Sequence, residues 1–208
     1  MRILVFAFAM LGTICCTAKK MIMGIDAVIL SADLIVVGEI TRADPNAYYF
    51  RIDETLYVRD TAWHVTSTRV NVWEEWTCDW RDFDIVEGQR LLLLLRKGKH
   101  GFSPINASTG EIPLRNDSLI LRNEEKVHVD YESHPYRLSF AEFRAGVLAL
   151  RQCAHMDEEE VDDLGFFPGS AKWLCEETTI AGYLKREDFT GWLFRKTEKY
   201  RVGTSGVK

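Results

Sequence analysis

Apolar and polar positions along this chain change their period twice. Ile22, Ile25, Val28, Ile29 and Ala32 recur at helical spacing, which predicts a short helix over 22–32. Asp33 ends it. Leu34-Ile35-Val36-Val37-Gly38-Glu39-Ile40 then reads as a buried strand, and Gly38 inside it marks a bulge or a sharp coil. Asp44-Pro45-Asn46 is a turn. Beyond it, Tyr48, Phe50, Ile52, Leu56 and Val58 alternate with Tyr49, Arg51, Asp53, Thr55 and Tyr57. That predicts a half-buried strand with the two sets on opposite faces. Val65 to Trp73 is a third strand with a phase slip near Ser67. Residues 74–89 are a polar and aromatic connection ending at Glu87-Gly88.

Leu91 to Leu95 is apolar on both faces and so belongs at the centre of a sheet. Lys97-Gly98-Lys99-His100-Gly101 is a turn, and Phe102 to Ile105 a short strand. Gly110-Glu111-Ile112-Pro113-Leu114 leads out of it. Leu119-Ile120-Leu121 and Val127-His128-Val129 add strand-like pieces, one hairpin across Asn123-Glu124-Glu125. The period then becomes helical. Ser139 with Glu142 three residues on is a capping box, and Phe143, Val147, Leu150 and Ala154 continue a helix over 139–155. An acidic run, Asp157 to Asp163, and Gly165-Phe166-Phe167-Pro168-Gly169 connect it to a second helix over 171–185, carried by Trp173, Leu174, Ile180, Ala181 and Leu184. The tail from Gly203 frays. The pattern is mainly β with α.

The first 18 residues change the picture. Met1-Arg2, an uncharged apolar run from Ile3 to Ile14, and small residues before Lys19 have the anatomy of a secretory signal peptide cut after Ala18. A rival reading lipidates Cys15 or Cys16 after the apolar stretch, although Ile14 sits where a lipidation signal has a small residue. The expected location is therefore secreted or periplasmic, with a lipid-anchored envelope protein as the alternative. Membrane contact is expected only with that anchor.

With 208 residues, 47% of them hydrophobic, the chain can bury a core and is no disordered tail. Lys and Arg number 26 against 31 Asp and Glu, a net charge of −5, which argues against nucleic acid as a partner. After the cut, Cys78, Cys153 and Cys175 remain, and an oxidising compartment then implies one bridge and one odd thiol. Cys153 and Cys175, at the end of one predicted helix and the first turns of the next, are the expected pair. Their loop length corresponds to about 3 kcal/mol of chain-entropy stabilisation. No Cys-x-x-Cys or paired-His spacing marks a metal site, and no motif calls for a cofactor.

The order of elements through the first 120 residues, with Ala32-Asp33-Leu34-Ile35-Val36-Val37-Gly38-Glu39-Ile40, Tyr49-Phe50-Arg51-Ile52 to Tyr57, and Glu87-Gly88-Gln89-Arg90-Leu91-Leu92-Leu93-Leu94 followed by Gly98 to Gly101 and Phe102, resembles the netrin-like domain. That domain is an oligonucleotide/oligosaccharide-binding (OB) barrel found in tissue inhibitors of metalloproteinases and in secreted bacterial relatives. The resemblance covers about 34–114. It implies a five-stranded OB-like barrel and a secreted binding role. The implied organisation is a signal peptide over 1–18, a barrel domain over 19–131 and a two-helix C-terminal extension over 132–208 packed on the barrel. In the metalloproteinase inhibitors a Cys at the mature N-terminus chelates the protease zinc through its amine and carbonyl. Lys19 stands there in this chain, and the next Cys is Cys78, so inhibition by that route does not carry over.

Four of the six tryptophans, Trp63, Trp73, Trp76 and Trp80, fall close together. Trp76 and Trp80 with Asp79 and Arg81 form the candidate ligand-binding set, since aromatics beside charges on a barrel-edge loop suit a sugar or a protein partner. The bland alternative is that they close the barrel ends as core. Cys78 with His64 is a weak nucleophile–base candidate without an orienting third group, so no catalytic residue is assigned. His155 with Asp157 to Asp163 lacks the spacing of a calcium loop and reads as a solvated acidic linker. The sequons Asn106-Ala107-Ser108 and Asn116-Asp117-Ser118 matter only in a host that glycosylates, and the family likeness leans bacterial. The expected function is a non-catalytic binding module, protein-binding or inhibitor-like, for an unknown protein or glycan. The alternatives are a small envelope enzyme with a site assembled from scattered residues, or an architectural envelope protein.

Overall fold

The computed structural model of the chain describes residues 24–72, 83–99, 101–121, 136–156 and 170–201. Among them are four α-helices and a large antiparallel sheet. In chain order these are α1 (Ile25–Ser31), β1 (Leu34–Asp44), β2 (Ala47–Val58), β3 (Ser67–Asn71), β4 (Arg90–Gly98), β5 (Gly101–Pro104), β6 (Glu111–Arg115), β7 (Ser118–Leu121), β8 (Tyr136–Ser139) and α2 (Phe140–Cys153). Then follow β9 (Ala154–Met156), β10 (Ala171–Trp173), α3 (Glu177–Leu184) and α4 (Phe189–Thr197). The sheet has eight strands in the order β3-β2-β1-β4-β6-β7-β8, with β5 paired to β4 off that path. It is not closed: β3 and β5 come close together without a hydrogen-bonded ladder between them. β9 and β10 form a separate two-stranded ribbon.

β1 and β4 are the middle of the sheet, antiparallel from Leu34↔Leu95 to Glu39↔Arg90. Their side chains alternate between two cores. Leu34, Val36, Ile40, Leu91, Leu93 and Leu95 join Tyr48, Phe50 and Val70 in an inner cluster. Ile35, Val37, Leu92 and Leu94 join α1, α2 and α4 in an outer one. This double burial is why the two strands are apolar without interruption. Each buried leucine contributes about 1.5–3 kcal/mol, so the β1–β4 pair fixes the frame on which everything else is hung.

The β1–β2 ladder shifts register three times, leaving Asp53 and Leu56 as extra residues on β2 and Thr41 on β1. The expected single apolar face of β2 is corrected accordingly. Tyr48, Phe50, Ile52 and Val58 pack on the inner cluster, whereas Leu56, itself one of the two extra residues on β2, turns into the outer one. Glu54 in the same stretch faces α2 and pairs with Arg144 at 2.6 Å. Gly38 lies at one shift. A Cβ there would fall 1.8 Å from the Arg51 carbonyl oxygen, so glycine is what lets β2 approach so closely.

α2 begins where its sequence signature puts it. Ser139 Oγ accepts the Glu142 N–H at 3.2 Å and the Glu142 carboxylate accepts the Ser139 N–H at 3.3 Å. Such a cap is worth about 1 kcal/mol. Phe143, Gly146, Val147, Leu150 and Cys153 form its buried face. At Gly146 an added Cβ would meet the Phe189 ring at 2.8 Å, so its absence sets how closely α4 crosses α2.

Three expectations for the C-terminal half change. β7 pairs with β8, residues 136–139; the proposed hairpin partner, 127–129, lies outside the described residues. The segment 171–185 is not one helix. Its first residues are β10, which answers β9 through Ala171↔Met156 and Trp173↔Ala154, and helix resumes only at Glu177. The extension also holds a further helix, α4, capped by Asp188, whose carboxylate accepts the Gly191 N–H at 3.1 Å. Cys153 and Cys175 are disulfide-bonded with Cα atoms 4.8 Å apart. Cys175 therefore sits in the turn between β10 and α3, not within a helix, and the bridge closes one end of the ribbon beside the Leu174 N–H to Cys153 O bond of 2.8 Å.

Candidate binding surface

The residues with the strongest sequence claim to a ligand, Trp76, Asp79, Trp80 and Arg81, lie outside the described residues, as do Trp73 and Cys78. The two flanks of their segment are described. On one side the Val72 N–H donates to the Asn46 carbonyl in the β1–β2 turn at 2.9 Å. On the other, Phe83 and Ile85 are half-buried against the inner cluster. The chain then turns at Gly88, in the left-handed region at φ 81°, and bonds to Ile40 in both directions: Gly88 N–H to Ile40 O at 2.8 Å, and Ile40 N–H to Gln89 O at 2.9 Å. Both attachments are thus made to β1 and its turn into β2.

Beside these attachments, the sheet presents a polar face. Arg42, Tyr49 and Arg69 lie in register across β1, β2 and β3. The Arg42 guanidinium stacks 3.9 Å above the Tyr49 ring and pairs with Asp44 at 2.8 Å. Arg69 bonds to Asn71. One step along, Arg51 reaches Glu39 at 3.2 Å and Asp53 at 3.1 Å. Hydrogen bonds to Asp44 and to Asp53 hold Arg42 and Arg51 above the usual arginine range, so both stay charged. Cations and carboxylates interleave, giving a mixed-charge surface and not a basic one.

Trp63 lies in the β2–β3 loop, ahead of β3, while Trp73, Trp76 and Trp80 lie outside the described residues. The Trp63 ring meets Phe102 edge-on at 5.5 Å, and Lys97 Nζ lies 4.2 Å from it. Half-buried on Phe102, it serves the packing of the β2–β3 loop onto the β4–β5 hairpin. His64, beside it, is exposed. His155 is half-buried on β9 opposite Lys172, and the acidic run 157–163 lies outside the described residues. Asn106 donates from Nδ2 to Thr109 Oγ1 at 3.3 Å, while Asn116 is exposed at the β6–β7 turn with φ 49°.

Two clusters, each built on a buried charged side chain, match no sequence motif. Arg151 is 8% exposed. Its Nη1 donates to the Leu30 carbonyl at 2.6 Å, and its guanidinium lies 3.7 Å from the Tyr57 ring centre. Its Nε and Nη2 have no hydrogen-bond partner. Burial pushes it below the usual arginine range, against the opposing pull of Tyr57. Next to it Asp33 pairs with Arg59 at 3.0 Å and accepts the Lys97 N–H at 2.8 Å. The only signal in the chain is the position of Arg151, four residues after the core Val147. The second cluster ties the C-terminal end to α1: Asp26, almost fully buried, lies 3.0 Å from Lys199 Nζ. Burial disfavours the charged Lys199, yet Tyr200 and Asp26 together hold it above the usual lysine range.

Among the described residues, no three His, Cys, Asp or Glu side chains group to hold a metal, and no helix is long and apolar enough to cross a membrane. No family model, curated protein or solved structure matches the chain.

Proposed function

We propose that the chain is a secreted or periplasmic, non-catalytic binding module that engages a protein or glycan through the segment 73–82. Trp76 and Trp80 are its aromatic anchors, and Asp79 and Arg81 its polar contacts. The observation that carries this reading is the seating of the segment. Both its flanks are fixed by backbone hydrogen bonds, one to Asn46 in the exposed β1–β2 turn and the other to the buried Ile40 on β1. A loop held at both ends on rigid strands presents its side chains at a small ordering cost, which is what a recognition loop needs. The fold reading goes with it. β1 to β5 surround one apolar cluster and bring β3 beside β5, which supports an OB-like barrel of the netrin type with an open seam. In that reading β6 to β8 and the helices cover the barrel's outer side.

The test is a comparison of tagged full-length protein with the double variant Trp76→Ala, Trp80→Ala, each recovered from the native host envelope. The proposal expects one partner enriched by the wild type and reduced at least about tenfold by the variant, the loss of roughly 1.4 kcal/mol or more that a hot-spot tryptophan carries. Equal recovery by both proteins contradicts it. Intact mass tests the address: a chain beginning at Lys19 supports secretion, and a diacylglycerol-sized increment on a chain beginning at Cys15 or Cys16 assigns a lipid anchor.

A further inference from the structure

We draw no further inference here: the strongest candidate, the buried side-chain cluster of Arg151, Tyr57, Arg59 and Asp33 where α1, β2 and α2 meet, carries nothing because the two unpartnered guanidinium nitrogens of Arg151 are closed over by protein atoms and face no space that a ligand could enter.

Discussion

Replacing Arg151 by methionine separates what this residue contributes by packing from what it contributes by charge. The guanidinium makes one charge-assisted hydrogen bond, to Leu30 O, worth about 1.5–3 kcal/mol, and one ring contact, to Tyr57, worth about 1–2 kcal/mol when desolvated. Against these stand two buried donors without partners, each costing about 1–3 kcal/mol. The neighbouring carboxylate, Asp33, is already matched by Arg59 and the Lys97 N–H and gives Arg151 little in return. The opposing terms nearly cancel. Arg151→Met, which keeps the apolar stem, is therefore expected within about 1 kcal/mol of wild type, as for buried ions replaced by well-packed apolar groups. Arg151→Ala also empties the space under Tyr57 and is expected to cost about 3 kcal/mol more than the methionine variant. For a chain of this size that corresponds to a fall in Tm of roughly 6–12 °C. Urea unfolding followed by tryptophan fluorescence at neutral pH, with thermal melts alongside, reads the difference. If the methionine variant loses as much as the alanine variant, the charge itself holds the junction and the reasoning fails.

Other substitutions probe separate parts of the account. Gly38→Ala drives a Cβ into the Arg51 carbonyl, a backbone atom no rotamer change can move aside, so a loss of at least about 3 kcal/mol or insoluble protein is expected; an unchanged melting curve refutes the close approach. Asp188 is held below the ordinary carboxylate range by its hydrogen bonds from Arg186 and then from the Gly191 N–H, so its contribution is complete above that range and fades as pH falls through the lowered value. Asp188→Asn should keep the α4 cap, lose that acid-side dependence and stay within about 1 kcal/mol at pH 7, whereas a variant that melts with the wild-type pH profile contradicts the assignment. Reduction of Cys153–Cys175 should lower stability by about 3 kcal/mol in the chain-entropy model, read as a Tm difference with and without reductant that vanishes in Cys153→Ala; no difference in the wild type refutes the bridge's role.

The parts of the fold legible in the sequence are those where local chemistry and burial agree. Ser139 and Glu142 mark the start of α2 because capping is a local event. The runs at Leu34 and Leu91 mark the two central strands because both faces of each are buried. The turn of Leu56 into the outer cluster is not legible: it depends on which strand carries the extra residue, a property of the β1–β2 pair. The span 171–185 has apolar residues consistent with a helix, but Ala171–Trp173 is claimed by pairing with β9 next to the disulfide, and tertiary contact overrides the spacing. α4 does have a signature, with Asp188 as cap and Phe189, Leu193, Phe194 and Thr197 at helical spacing. Of the candidate site, the aromatic and charged composition of 73–82 is legible, and so is the turn at Glu87-Gly88 that closes it. That its two flanks meet on β1 and the β1–β2 turn follows from long-range hydrogen bonds no local pattern encodes.

Recognition through the segment 73–82 is tested most directly by contact. A photo-crosslinking amino acid placed at Trp80 of the full-length protein, with a control at the exposed Ile120 on β7, is irradiated in cells of the native host. The account predicts a discrete adduct from position 80, absent from position 120 and lost when Trp76→Ala is added. No adduct at position 80, or the same adduct from both positions, contradicts it.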